Sequence, residues 1–190
     1  MVVLLALGCT LACGGDDKPK TKEIPASQST KPSGEVCGVE PEHLPGQASA
    51  HVAIGQAVPY VDAPPTGGTH SQCWADWGVY EEELADELWV HNLEHGGVVL
   101  LYNCPDGCPD EVAQLEEFAN DHDRVILSPY AALPTRFGAT AWEFRLLTDC
   151  FDSTAIEQFY EQRFNKGREN IMGGPPDVCR GDFAPVPKSN

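Results

Sequence analysis

His91-Asn92-Leu93-Glu94-His95-Gly96-Gly97-Val98-Val99-Leu100-Leu101-Tyr102 sets two imidazoles and a carboxylate within five residues, then runs directly into an apolar stretch suited to burial. The backbone decides what these groups can do. In a helix His91 and His95 lie one turn apart on one face, roughly 6 Å between Cβ atoms, and can share an ion. In an extended strand they would stand about 13 Å apart and could not. Leu84, Leu88, His91 and His95 follow the 3.6-residue period, acidic residues fill the start, and Gly96 stands where a left-handed residue closes a helix. Trp89-Val90 is β-prone and argues for a strand that begins earlier. The expectation is a helix or helical turn ending at His95, followed by a buried strand from Val98 to Tyr102.

The order His-x-x-Glu-His matches the inverted spelling of zinc proteases, in which two histidines bind metal and the glutamate activates water. It reads equally as a hydrogen-bonded imidazole beside a carboxylate that solvates a turn. Upstream, Asp62-Ala63-Pro64-Pro65-Thr66-Gly67-Gly68-Thr69-His70 cannot be regular structure, because its prolines fix φ and remove donors while its glycines open otherwise forbidden angles. It is a shaped loop that delivers His70. Trp74 and Trp77 then read as core filling. His51 to Ile54 and Ala57 to Val61 read as short extended pieces, Pro59 assigning the second to an edge.

Downstream of Tyr102, the residues from Asp110 to Asn120 form an amphipathic helix with Val112, Leu115, Phe118 and Ala119 inward. Arg124 to Leu127 reads as a second strand and Ala139 to Leu147 as a third. A helix from Ser153 to Phe164 follows, capped by Asp152 or Ser153. The fold class is therefore α+β: a small mixed sheet with two to three packed helices, a β-α-β-β-α core, and a loop-rich N-terminal third tied by disulfides. One globular domain is expected over 37–182, with a tail at 183–190.

The 29 acidic and 12 basic residues give a formal charge of −17, which repels phosphate backbones and excludes nucleic acid as a natural partner. Residues 1–12 are an apolar segment too short to span a bilayer but suited to a secretory signal. Cys13 follows, then Gly14-Gly15-Asp16-Asp17 and a Lys-, Pro- and Ser-rich tether over 13–36. A small residue before a cysteine, then a polar tether, resembles a bacterial lipoprotein signal, which implies lipid on Cys13 and attachment to an envelope membrane, on the periplasmic or outer-surface side. Cys9 is the competing position, and simple secretion is the plainer alternative. Six cysteines remain, Cys37, Cys73, Cys104, Cys108, Cys150 and Cys179, enough for three disulfides outside the cytosol. The turn Pro105-Asp106-Gly107 favours pairing Cys104 with Cys108. The other four are left to tie down the flanks.

Pro64-Pro65-Thr66-x-Gly68-x-His70, followed by Val90-His91-Asn92-Leu93-Glu94-His95-Gly96-Gly97-Val98, resembles a bacterial envelope family filed as a domain of unknown function, whose members read PPTSGPH and VHNLEHGxV. Gly67 and Thr69 depart from that pattern. The likeness runs from about His51 through the last helix and includes Trp142 after Thr140-Ala141. Its motifs pick out His70, His91, Glu94 and His95, and His51 beside them. A family of this kind fixes no reaction, so function rests on the site.

Three functions compete. In the first, His70, His91 and His95 meet around a zinc or copper ion, with His51 or water completing the shell and Glu94 as a supporting group, a fourth ligand or a base. In the second, Cys104-Pro105-Asp106-Gly107-Cys108 serves thiol–disulfide exchange, although its spacing is one residue longer than the usual redox pair. In the third, the chain is a lipid-tethered acidic interaction module with no chemistry.

Overall fold

The computed structural model describes residues 37, 39–169 and 187–188. Eight strands and three helices follow in order: β1 (Glu42–His43), β2 (His51–Val52), β3 (His70–Ser71), β4 (Gly78–Val79), α1 (Asp86–Glu94), β5 (Val98–Tyr102), α2 (Pro109–Asp121), β6 (Val125–Pro129), β7 (Phe137–Ala141), β8 (Phe144–Thr148) and α3 (Ser153–Arg163). The fold is α+β. Six strands form one mixed sheet in the order β1-β8-β7-β5-β6-β4, and β2 pairs with β3 separately. Strands β4, β6 and β5 run parallel, whereas β7, β8 and β1 alternate in direction.

Strands β5 and β6 are apolar nearly throughout because both of their faces are covered. Side chains alternate across a strand, so Val99, Leu101 and Ile126 join one core with Leu88, Trp89, Val90 and Leu93 of α1. Val98, Leu100, Val125 and Leu127 join the other core, with Leu115 and Ala119 of α2 and Ile156, Phe159 and Tyr160 of α3. The result is one helix on one face of the sheet and two on the other. Helix α1 is buried at every position from Leu88 to Glu94. It is therefore enclosed by loops on the side away from the sheet, which a one-sided apolar stripe does not convey.

The stretch Ala139 to Leu147, expected as one strand, is a hairpin. Its turn lies at Trp142-Glu143, where Glu143 takes a left-handed φ of 63°. No glycine or proline marks the turn in the sequence. Contacts from distant segments hold it: Glu143 Oε1 accepts from the amides of Gly46 (2.7 Å) and Gln47 (3.2 Å), and the Glu143 amide donates to the Thr66 carbonyl (2.7 Å). Ala57 to Val61 is likewise irregular instead of extended in a sheet, and only His51–Val52 of the two early pieces pairs.

Cys104 is bonded to Cys108, Cys37 to Cys150, and Cys73 is also in a disulfide. The expected signal segment 1–12, Cys9, Cys13, the expected tether up to 36, Cys179 and the tail residues 183–186 and 189–190 lie outside the described residues. Among the described residues no helix is long and apolar enough to cross a membrane.

The C-terminus of α1 fixes the geometry around it. Gly96, at φ 80°, donates to Leu93 O (2.9 Å) and Gly97 to Asn92 O (3.0 Å), the paired bonds that close a helix through a left-handed residue. The remaining carbonyls find partners from elsewhere: Arg124 Nη1 donates to His95 O (3.0 Å), the Asn165 amide to Gly96 O (2.8 Å) and the Glu169 amide to Glu94 O (2.9 Å). Gly97 is covered by an indole, and a Cβ built there would meet Cη2 and Cζ3 of Trp77 at 2.5 Å. Gly97→Ala should therefore destabilise the protein by about 1–3 kcal/mol through overpacking. The expected result is a lower urea midpoint at unchanged slope; an unchanged midpoint would mean that Trp77 moves aside freely.

Candidate metal centre

Two segments distant in sequence, β2 and β3, converge over the second half of α1. The parallel pairing of β2 with β3 puts His51 directly opposite His70, with the Ala50 carbonyl accepting from the His70 amide at 2.9 Å. Helix α1 supplies His91 and Glu94, three residues apart and so on one face. The ring centroids of His51, His70 and His91 lie 4.8–4.9 Å from one another. One ligand-type atom from each of His51, His70, His91 and Glu94 falls within 4.8 Å of all the others. The cluster is grouped so that it can hold a metal ion.

The Pro-Gly loop aims His70. Thr140 Oγ1 donates to Pro65 O (3.0 Å), which fastens the loop to β7, and Gly68, at φ 116°, turns its carbonyl to lie 2.8 Å from His70 Nδ1. That contact orients the ring through its Nδ1 edge. Nε2 lies 3.0 Å from Glu94 Oε2, at ion-pair distance, and both atoms are buried, as is His91 Nδ1. His51 Nε2 is 3.8 Å from the same carboxylate oxygen. Ser49 Oγ donates to the other oxygen, Glu94 Oε1. Buried ligand-type atoms of His70, His91 and Glu94 are thus gathered where a shared cation could be held. Ligands about 2.0–2.2 Å from a tetrahedral ion lie about 3.3–3.6 Å apart. The separations of 3.0 and 3.8 Å bracket that range.

His95 is turned elsewhere. It groups with Glu94 and Glu169, and Trp74 meets it edge-on at 4.4 Å. The structure thus places His51 with His70, His91 and Glu94, and sets His95 at the neighbouring corner of the same carboxylate. Trp74 also borders His91, at 5.4 Å, and Trp142, at the tip of the β7–β8 hairpin, stands perpendicular to His70 at 6.3 Å. Asn92, fully buried, clamps the Trp74 loop by accepting from the Ala75 amide (3.1 Å) and donating to the Ala75 carbonyl (2.9 Å). Ser49, Trp74, Asn92 and Glu169 carry no mark in the sequence that assigns them here. Asn92 does lie inside the His-rich stretch, where a polar residue between apolar neighbours on a buried helix signals a required partner.

The Cys104–Cys108 bridge belongs to the opposite layer. Both cysteines pack with the α2 and α3 core, at the junction of β5 and α2, away from the core that α1 joins.

The family described as protein of unknown function (DUF3105) matches residues 51–174. The chain belongs to that family. The matched span contains His51, His70, His91, Glu94, His95 and Glu169, so the whole cluster lies inside the family domain except the supporting Ser49. No curated protein and no solved structure matches the chain.

The titration behaviour follows from enclosure. Burial, reinforced by the His70, His95 and His51 rings, holds the His91 imidazole down from its usual 6.5 to about 3. Burial also lowers His95. Burial alone would raise the Glu94 carboxyl, but the adjacent His70 ring and Ser49 hydroxyl outweigh it and hold it down from 4.5 to about 2. Both His91 and Glu94 bind a proton more readily in the unfolded chain, so both contributions have the same sign. The His91 contribution is complete above pH 6.5 and is lost as pH falls toward 3; the Glu94 contribution is complete above 4.5 and is lost toward 2. Metal-free protein should therefore lose stability on acidification from pH 6.5, by up to about 1.4 kcal/mol per pH unit for each proton taken up. Urea midpoints measured with chelator from pH 7.5 to 4 test this, and a flat profile would contradict the buried neutral state of His91.

Proposed function

We propose that this protein is a lipid-anchored envelope metalloprotein in which His51, His70, His91 and Glu94 hold one transition-metal ion, zinc or copper. The observation that carries the reading is the convergence of His51, His70, His91 and Glu94, each offering one ligand-type atom within 4.8 Å of the others, with three of the four residues buried. Three imidazoles and one carboxylate suit zinc or divalent copper better than calcium or magnesium, which prefer oxygen. Such an ion supplies a fixed positive charge and Lewis acidity. The chain's own residues do the rest: Gly68 orients the His70 ring, Ser49 orients Glu94, and Trp74 and Trp142 limit water around the rings.

With four protein groups in the cluster and Glu94 already engaged by His70 and Ser49, the set favours an ion that is held or carried over a hydrolytic centre with a free glutamate base. Anchoring rests on the apolar segment 1–12 and on Cys13 with its polar tether, which together would keep the domain at an envelope membrane.

Three measurements test these claims. Protein purified without a histidine tag should retain about one equivalent of zinc or copper by elemental analysis, and His91→Ala should lose it while keeping its far-ultraviolet circular dichroism. At a free-metal concentration about 1,000 times Kd, the ion should stabilise the fold by about 4 kcal/mol, which raises Tm by roughly 8–16 °C for a domain of this size. A metal-free native protein whose Tm ignores added zinc and copper would refute the site. Mass spectrometry of the native N-terminus should find lipid on Cys13; an unmodified Cys13 would remove the anchor.

A further inference from the structure

Beside the proposed ion, the same carboxylate faces a second group of ligand-type atoms. His95 is only 4 % exposed and its Nδ1 has no hydrogen-bond partner. Such a nitrogen, sealed under the Trp74 ring at 4.4 Å, is costly without a partner, and the ring also meets the Glu169 backbone. Glu94, His95 and Glu169 each offer one ligand-type atom within 4.8 Å of the other two. The His91 and His95 ring centroids are 4.8 Å apart, so the two groups are neighbours with Glu94 common to both.

Glu169 is not there by accident of a loose loop. Its amide donates to Glu94 O at 2.9 Å, and the segment before it is pinned by the bond from the Asn165 amide to Gly96 O. Gly167 is so close to α1 that a Cβ would collide with the Glu94 carbonyl and the Gly96 amide. The backbone thus delivers Glu169 to the end of α1, where the carbonyl end of the helix favours a cation. Arg124, the nearby cation, is directed at the His95 carbonyl and Asn165 Oδ1.

We infer that the protein binds a second divalent transition-metal ion at Glu94, His95 and Glu169, so that Glu94 is shared between two ions in a dinuclear centre. This inference rests on the single-ion reading and adds to it. Each group has one exposed member, Glu169 here and His51 in the first, but the second has only two buried ligands against three, so its ion is held more weakly than the first. In two-metal sites ions stand about 3.5–4 Å apart, close enough for one carboxylate to serve both.

Equilibrium dialysis of metal-stripped, untagged protein against cobalt(II), followed by elemental analysis, separates the two claims. Wild type should take up about two equivalents, one at least tenfold weaker than the other, while Glu169→Gln and His95→Ala each take up about one. Glu169 is at the surface, so its variant should fold even if His95→Ala does not. One equivalent in wild type, unchanged in Glu169→Gln, would overturn the second ion and leave the first in place. Two equivalents in both variants would also overturn it, since the second ion would then sit elsewhere. No uptake by wild type would remove both readings.

Discussion

A carboxylate and three imidazoles crowded under one helix are the constraint around which this domain is built. An ion buried without a partner costs several kcal/mol even after relaxation. Here the Glu94 carboxylate is met by His70 Nε2 at 3.0 Å and by the Ser49 hydroxyl, while His70 Nδ1 lies 2.8 Å from Gly68 O. The arrangement is held in place: β3 holds the His70 backbone, Ser49 holds Glu94, and α1 holds Glu94 and His91 in one register. A rigid frame that keeps three imidazoles and a carboxylate together is understandable as a frame for a cation.

The sheet makes that rigidity possible. Because β5 and β6 are buried on both faces, α1 packs against a continuous apolar surface while α2 and α3 back it from the other side. Leu88, Trp89, Val90 and Leu93 fasten the helix, so its polar residues can be turned toward the loops without loosening the core. The loops are held in turn by single, specific bonds: Asn92 to Ala75, Thr140 to Pro65, Glu143 to Gly46 and Gln47. Each of these joins an element of the core to a segment that has too little regular structure to position itself.

The local parts of this architecture were readable from the chain. Helical period, acidic start and Gly96 gave α1 and its end at His95; β5, α2, β6 and α3 followed from apolar runs and amphipathic spacing. The hairpin of β7 and β8 was not readable, because Ala139 to Leu147 contains no turn residue and Glu143 accepts its left-handed angle under tertiary hydrogen bonds. The site divides in the same way. His91 and Glu94 share a helix face and could be paired from spacing alone. The spacing of four made His95 the natural companion of His91, while the partnership of His51 with His70 depends on a parallel pairing of two-residue strands that leaves no periodic trace. Glu169, beyond α3, reaches the helix end through backbone contacts with Glu94 and Gly96, for which the sequence offers no local signal.

The same contrast between strong and weak elements bears on how an ion would come and go. His70, His91 and Glu94 are buried and carried by parts that are packed or bonded on several sides, whereas the His51 side chain is 50 % exposed and sits on a ladder of two residues. Short, solvent-exposed pairings open at far lower free energy than core strands. Opening β2 would withdraw His51 from the proposed ion while leaving α1, β3 and the sheet undisturbed. Stability and exchange would then fall to different segments: the core would keep three of the proposed ligands aligned, and the fourth belongs to the element whose movement costs the fold least.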